Sequence, residues 1–414
     1  LRPCILWNDQ RSVEVAEALT ERIGLDAILA ETSNPLFASF VAPKVVWLRE
    51  HEPDVYRRIA TILMPKDYIN YRLTGEKKTE VSDASGTCVF NVAERRWSET
   101  MLEHLDIPPA WMPECLESNE ITGRLGDEAA QATGLRAGTP VVAGAGDQPA
   151  QALGCGIVRS GLCSVTIGTS GVVFAQTDSH LAHPEGLLHS FCHCLPGQWY
   201  LMGVMLSAGG AFQWLRELLG SAGAMTFERM TEEAAKAPPG SEGLVFLPYL
   251  SGERCPHDDP RARGGFIGLT QRHGLPALCR SVMEGISFGL LDSIQIMRDL
   301  GMDIRHVMAS GGAVSSPLWR QMLADIFQVE VSASARTEGG ALGAAMLAGL
   351  GTGAFESAEE ASAQLVHTDH RVEPASETAP RYREVYEVYR ELYGTLRTSF
   401  HALTALNAGG NRPS

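Results

Sequence analysis

Short apolar runs that end in glycine are the feature that most constrains how this chain can fold. The runs are Thr139–Ala143, Leu162–Ile167 and His306–Ala309, and each is followed by glycine within two residues. Runs of β-branched and small apolar residues cut by glycine are typical of buried strands that end in tight turns. The sequence therefore predicts a sheet whose strands end in glycine-rich loops.

Helical patterns alternate with strand patterns through the second half of the chain. A helix is predicted over Leu275–Leu300, where apolar residues recur at the helical period and Gly301 provides a stop. Other predicted elements are strands at 188–195, 198–206, 243–250 and 329–334, and helices at 55–74, 317–327, from 341, and 381–403. Strand and helix in turn imply an α/β fold with a parallel or mixed sheet.

Composition excludes several classes of protein. The chain has 414 residues and a formal net charge of −15, which disfavours attraction to the phosphates of nucleic acid. No apolar stretch is long enough to suggest a transmembrane helix, and the first residues do not resemble a signal peptide. Nine scattered cysteines in a chain of this size favour reduced thiols. We therefore expect a cytoplasmic protein with neither a nucleic acid nor a membrane as partner.

Asp147 is the first candidate for chemistry. It follows the predicted strand and the loop Ala143–Gly146, at the position where α/β proteins place ligands. The residue is a candidate general base. The alternative is that Asp147 caps the helix that begins near Pro149.

A Gly-Thr-Ser-Gly turn at residues 168–171 is the second candidate. It joins two predicted strands, and it offers several backbone N–H groups and two hydroxyls to one anion. A phosphate could bind there. A plain hairpin with polar turn residues would have a similar sequence.

The third candidate is the segment Ser310–Trp319, in which a strand ends in Gly311-Gly312 before a helix. Such a junction lets backbone approach a ring or a phosphate, and the helix N-terminus adds positive partial charge. The segment matches neither the GxGxxG nor the GxxxxGK[ST] pattern, which disfavours a Rossmann or P-loop site. The alternative is tight strand-to-helix packing.

Taken in this order, the three motifs resemble those of the FGGY family of sugar kinases. Further segments of the chain match the family's pattern: Trp7–Arg11, Pro65–Tyr68, Leu73–Glu76, Val81–Thr87, Leu250–Arg254, Gly264–Leu269 and Gly311–Gln321. The resemblance covers essentially the whole chain. It implies two domains of ribonuclease-H-like, actin-like ATPase fold, with the active site in an interdomain cleft. The implied division is a sugar-binding domain at 1–158 and a nucleotide-binding domain with a terminal helix at 159–414.

The resemblance also implies roles for individual residues. Asp147 matches the catalytic aspartate, and it is expected to hold Mg²⁺ through water. The residues expected to bind the sugar are Trp7, Asn8, Asp9 and Gln148. Those expected to bind the nucleotide are Gly168, Thr169, Ser170, Gly171, Gly210, Gly311, Gly312, Ala313, Ser316 and Gln321.

The activity implied by the resemblance is phosphorylation of a ketopentose by ATP with Mg²⁺. D-xylulose giving D-xylulose 5-phosphate is the expected reaction, and a homodimer is an expected assembly. One alternative is a kinase of the same family that acts on ribulose, gluconate or a polyol. Another is a nucleotide-binding protein without catalytic activity.

Two elements of the family pattern have no match in this sequence. They are the Asp-x-Gly-Thr segment of the first phosphate and Mg²⁺ site, and a later Met-His pair that grips the sugar. The resemblance therefore implies that the sequence begins partway through its first domain, which is incomplete at its N-terminus. We expect the chain as given to be inactive on its own.

Overall fold

The computed structural model describes residues 1–220, 225–334 and 339–408, and the chain separates into two compact units. Unit 1 combines residues 1–160, 176–201 and 338–366. Unit 2 combines residues 161–175, 202–337 and 367–414. Each unit is thus assembled from separate stretches of sequence, and the division at residue 158 stays a prediction.

The helices are named here in chain order, as α1 (Val13–Ile23), α2 (Leu25–Thr32), α3 (Val41–His51), α4 (Pro53–Tyr56), α5 (Pro65–Thr74), α6 (Val81–Ser85), α7 (Glu99–Leu105), α8 (Asp127–Thr133), α9 (Asp147–Gly154), α10 (Gly209–Gly220), α11 (Phe227–Ala234), α12 (Leu275–Asp299), α13 (Pro317–Phe327), α14 (Gly339–Thr352), α15 (Ala358–Leu365) and α16 (Ala379–Ala408). Within the described ranges, no helix has both the length and the apolar character that a membrane crossing requires.

The strands are likewise β1 (Lys78–Glu80), β2 (Phe90–Asn91), β3 (Arg96–Trp97), β4 (Glu114–Leu116), β5 (Ile121–Arg124), β6 (Pro140–Val142), β7 (Leu162–Ile167), β8 (Gly171–Thr177), β9 (His189–Cys192), β10 (Trp199–Met205), β11 (Val245–Leu247), β12 (Gly265–Ile267), β13 (His306–Gly311), β14 (Glu330–Ser334) and β15 (Thr368–Val372). The strands expected around residues 162–167, 306–309 and 329–334 are therefore present.

The predicted helix at 55–74 is wrong in its middle part. The structure has two shorter helices there, α4 and α5, separated by residues 57–64. Pro65 begins α5, and Met64 before it has an extended backbone with φ −70° and ψ 160°. A proline disfavours helical backbone in the residue that precedes it, so it starts a helix here instead of continuing one.

A mixed sheet organises unit 2. Five of its seven strands follow one another from one edge in the order β15, β14, β13, β7 and β8. The central strands β14, β13 and β7 are parallel, whereas β15 and β8 run antiparallel to their neighbours. Parallel strands end at the same edge, so Ile167 and Gly311 lie opposite each other where β7 and β13 end. This mixed sheet confirms the α/β class expected from the sequence.

Helix α12 forms much of the core of unit 2. The residues expected on its apolar face, Val282, Ile286, Leu290, Ile294 and Met297, are fully buried. The helix ends just before Gly301, which has a φ of 93° that favours glycine. The helical period in the sequence therefore predicts both the buried face and the end of this element.

Helices α9 and α14 of unit 1 pack backbone against backbone. A Cβ at Gly154 would lie 1.9 Å from the carbonyl oxygen of Gly339, and a Cβ at Gly343 would lie 1.8 Å from that of Ala150. No larger residue fits at either position. The contact fixes α9 in unit 1, and the first residue of α9 is Asp147.

His193 provides a pH-dependent contribution to the stability of unit 1. The ring is buried, and its Nδ1 accepts a hydrogen bond from the Leu195 N–H at 3.1 Å. Burial, with a smaller effect from Arg95, lowers the pKa of His193 to about 3. The folded protein therefore keeps the ring neutral at pH values where the unfolded chain binds a proton.

We expect the free energy of unfolding to fall as the pH drops below the unfolded pKa of about 6.5, by up to about 1.4 kcal/mol per pH unit from this group. His193→Gln should show a shallower decrease between pH 6 and pH 4 in urea unfolding. The matched control is His104→Gln, which changes an exposed histidine of α7. Equal pH dependence in both variants would contradict the assignment.

Candidate active site

Asp147 is the first residue of α9 and is exposed. The N-cap of this helix is Gly146, and no side chain caps the helix. The alternative interpretation of Asp147 as the capping residue is therefore wrong. A carboxylate in the first turn still interacts favourably with the helix dipole. An exposed carboxylate on a fixed helix end is available to a ligand, and its catalytic role stays a prediction.

An ionic cluster of two buried and two half-buried side chains lies close to the loop before Asp147. The Lys66 Nζ atom is 2.7 Å from an Asp67 carboxylate oxygen, 3.6 Å from one of Glu80 and 3.5 Å from one of Asp83. It also donates to the carbonyl oxygen of Ala143 at 3.2 Å. Lys66, Asp67 and Asp83 lie in segments that match the family pattern, but the sequence predicts no role for them, and Glu80 lies outside those segments. These four residues are separated from Asp147 by more than 60 residues, so only folding brings them to the loop.

The carboxyl of Asp83 has a strongly shifted pKa. Burial raises it to about 7, Lys66 acts to lower it, and the neighbouring carboxylates of Glu80 and Asp67 raise it further. Desolvation is the largest cause because the charged form loses water that the single ammonium of Lys66 replaces only in part. The side chain therefore changes its charge near neutral pH.

The four residues expected to bind sugar are all in unit 1. Gln148 is half-buried and is the second residue of α9. Trp7 and Asn8 are exposed, with 76% of the Trp7 surface accessible. The carboxyl of Asp9 accepts hydrogen bonds from the Arg11 side chain, which lower its pKa to about 2. Their role in sugar binding stays a prediction.

The Gly168–Ser170 turn of unit 2 is an exposed hairpin turn between β7 and β8. The Gly168 N–H donates to the Ser170 carbonyl at 3.0 Å. The hairpin interpretation is therefore correct, and it leaves the phosphate interpretation open because the turn still presents polar groups outward. Gly171 is buried, and a Cβ there would lie 2.8 Å from the Leu290 side chain.

Helix α10 begins against this turn. The N–H groups of Gly209 and Gly210 donate to the carbonyl oxygens of Gly168 and Thr169, at 2.8 and 3.0 Å. A Cβ at Gly209 would lie 2.4 Å from the Gly168 oxygen, so only glycine permits this approach. The turn is thereby held in one conformation beside the helix N-terminus.

The Gly311-Gly312 loop lies at the same sheet edge. A Cβ at Gly311 would lie 2.3 Å from the Ile167 carbonyl oxygen, and the φ of Gly311 is 94°. Residues Gly312–Ser315 form a short 3-10 helix, and the Ser316 side chain then caps α13. One interpretation of this motif was tight packing between strand and helix, and that packing is present at Gly311. The residues that follow form a loop.

A pocket of about 540 Å³ lies between these loops in unit 2. Five of the residues expected to bind nucleotide line it: Gly168, Thr169, Gly312, Ala313 and Ser316. The other five expected residues do not line the pocket: Ser170, Gly171, Gly210 and Gly311 belong to the turn, to the start of α10 and to the end of β13, and Gln321 lies on α13. The Gln321 amide donates to Asp325 and to the Glu373 carbonyl.

The aromatic side of the pocket was not predicted from the sequence. Phe212 of α10 stacks on Phe227 of α11 with ring centroids 5.8 Å apart, and it meets Trp319 of α13 edge-on at 5.1 Å. The pocket is also lined by Gln213, Glu228, Thr231 and Glu232. A helical period can indicate that a residue lies on a helix, but it does not show which helices converge.

Family models match most of the chain, and known proteins match nearly all of it. Residues 1–154 match the N-terminal domain of the FGGY family of carbohydrate kinases, and residues 163–352 match its C-terminal domain. The chain belongs to the FGGY family of carbohydrate kinases. The two-domain, actin-like ATPase fold expected from the sequence is confirmed with it, and ATP is the phosphoryl donor that this family of kinases implies.

Individual relatives are similar over most of their length. The chain is 41% identical over 397 residues to the xylulose kinase of Escherichia coli strain K12. The aligned region covers 96% of this chain and 81% of that protein. The gluconokinase of Bacillus subtilis strain 168 is 29% identical over 420 residues, 99% of this chain and 81% of that protein. The crystal structure of xylulose kinase from Rhodospirillum rubrum superposes with a TM-score of 0.91 at 32% identity, over 97% of this chain and 81% of that one.

We expect Gly311→Ala to lower the free energy of unfolding of the FGGY kinase by about 1–3 kcal/mol or more. The backbone conformation of Gly311 is nearly restricted to glycine, and a Cβ there collides with β7. Thermal unfolding measures the change. Gly312→Ala is the matched control, since a Cβ at Gly312 meets no atom within 4 Å. Similar melting temperatures for the two variants would show that the end of β13 is not packed as described.

Proposed function

We propose that the protein transfers the γ-phosphoryl group of ATP to D-xylulose and releases D-xylulose 5-phosphate. The observation that carries the proposal is the 41% identity to a xylulose kinase across 96% of the chain. A glycine-lined pocket in unit 2 and an exposed carboxylate at the start of α9 in unit 1 support it. A sugar kinase requires a pocket that binds the nucleotide and a group that accepts the proton of the sugar hydroxyl.

The pocket in unit 2 fits a nucleoside triphosphate. Its volume of about 540 Å³ lies within the usual range for small-molecule sites. Gly168 and Thr169 present a polar turn to a phosphate, while Phe227, with Phe212 packed against it, offers apolar ring surface to a base. We assign ATP to this pocket for these reasons.

Asp147 is the residue that we assign to proton transfer. The carboxylate accepts the proton of the attacking sugar hydroxyl, a contribution typically of about 10²–10⁴ in rate. Phosphoryl transfer passes through a loose transition state, so positioning and charge stabilisation dominate the remaining catalysis. Gly168 and Thr169 contribute by holding the phosphates in place.

Mg²⁺ is part of the proposal, with Asp147 as its protein ligand through water. The chain fits this mode, because Mg²⁺ is usually held by one or two carboxylates together with substrate phosphates and water. In the described residues, no group of three or more His, Cys, Asp and Glu side chains is arranged to hold a metal without substrate. When bound, the ion neutralises charge on the phosphates.

The cellular context is also part of the proposal. All nine cysteines carry free thiols, and eight of them are buried or half-buried. Unpaired cysteines in this number fit a reducing compartment such as the cytoplasm. The homodimer stays a prediction, to be checked by sedimentation.

A sugar panel tests the substrate. We expect ADP release in a coupled assay to depend on D-xylulose, with kcat/KM for D-xylulose at least about 10-fold above that for D-ribulose, D-gluconate and glycerol. The assay uses a version in which these 414 residues are preceded by the family's first phosphate segment, because we expect the chain as given to be inactive on its own. A preference for gluconate would support the function of the 29% identical relative instead. ATP binding without any sugar-dependent ADP release would favour the non-catalytic alternative.

Asp147→Asn tests the base. We expect kcat to fall at least about 100-fold with little change in the dissociation constant of ATP, because the amide keeps the shape but cannot accept the proton. The matched control is Asp127→Asn, since Asp127 is also an exposed first residue of a helix with a glycine N-cap. Turnover of Asp147→Asn within threefold of the unaltered protein would contradict the mechanism.

A further inference from the structure

The backbone just before Asp147 is held by a side chain from a distant part of unit 1. Gly146, the N-cap of α9, donates its N–H to the Ser82 hydroxyl oxygen at 3.0 Å. The two residues are 64 positions apart in the sequence. In a capping box the N-cap N–H bonds to the side chain of the third helical residue, which here is Pro149 and has no acceptor, so Ser82 supplies the acceptor from α6.

The Ser82 hydroxyl is oriented by Glu80. It donates to a Glu80 carboxylate oxygen at 2.8 Å, and a carboxylate can only accept. The lone pairs of the Ser82 oxygen are therefore left for the Gly146 N–H. Glu80 is fully buried and is itself fixed by the Ser82 and Asp83 N–H groups, at 2.8 and 2.9 Å, and by the Ser118 hydroxyl at 2.6 Å.

Shape enforces the same contact. A Cβ on Gly146 would lie 2.9 Å from an Asp83 carboxylate oxygen, so the loop passes closely over α6. Other anchors fix the start of the loop: the Gly144 N–H donates to the Ser118 carbonyl at 2.9 Å, and the Asn70 amide donates to the Ala143 carbonyl at 2.8 Å. Ser82 is the anchor nearest to Asp147.

We propose that Ser82, oriented by Glu80, is a positioning residue that sets the place of the Asp147 carboxylate through the Gly146 backbone. This rests on the proposed function, in which Asp147 is the general base. A base must lie within hydrogen-bond reach of the proton that it removes, and a displacement of about 1 Å can cost 100-fold in rate. Ser82 touches no reacting atom and acts only through the loop.

The test compares two buried serines of the same short helix. Ser85→Ala is the matched control, because the Ser85 hydroxyl bonds to the Val81 carbonyl and the Cys192 N–H instead. We expect Ser82→Ala to lower kcat at least about 10-fold with KM for D-xylulose and for ATP changed less than about twofold. Ser85→Ala should lower the melting temperature similarly and leave kcat unchanged. Ser82→Thr, which keeps the hydroxyl, should restore most of kcat.

A double-mutant cycle separates positioning from general loss of structure. If Ser82 acts through Asp147, Ser82→Ala should have no further effect on the residual turnover of Asp147→Asn. If Ser82→Ala does not fold, Ser82→Cys replaces it, because sulfur is close in size and a much weaker acceptor.

Three results would overturn the proposal. The first is unchanged kcat in Ser82→Ala, the second is an equal loss of kcat in Ser85→Ala, and the third is additive losses in the cycle. None of these three results contradicts the proposed function, provided that Asp147→Asn still lowers kcat. A protein with no sugar-dependent ADP release, or one indifferent to Asp147→Asn, overturns the proposed function itself.

Discussion

Close contact between backbones at glycine is the constraint on which both units depend. In unit 1, Gly154 and Gly343 let α9 and α14 touch without side chains between them. In unit 2, Gly209 and Gly311 bring a helix and a strand end against the turn after β7. Any side chain at these positions would push the elements apart, and the loops that carry candidate site residues would move with them.

The second determinant is the satisfaction of buried charge. Glu80 is fully buried, and it is stabilised by two N–H groups, two hydroxyls and the nearby ammonium of Lys66. A buried carboxylate without such partners would be strongly destabilising. Because the partners come from α5, α6 and the Ser118 segment, satisfying the charge also joins these segments to β1, which carries Glu80. The same network reaches the loop before Asp147 through Ser82.

Much of the fold was predictable because hydrophobic period and turn chemistry are local properties. The buried face of α12, the extent of β7, the hairpin at residues 168–171 and the strand-to-helix junction at Gly311 all follow from residue patterns. The helix expected at 55–74 failed because the effect of Pro65 on Met64 outweighed the apolar period. The positions of Asp147 and of the glycine loops at strand ends were predicted for the same local reason.

The sequence by itself determined the α/β class and the family, because these depend on spacing along the chain, and for the same reason it predicts which loops carry chemistry. Only the tertiary structure decided that Ser82 holds Gly146, that Lys66 serves three carboxylates, and that Phe212, Phe227 and Trp319 form one side of a pocket. These contacts join residues that are far apart in sequence. No local pattern encodes them, since they arise only when separate helices and strands pack around a shared core.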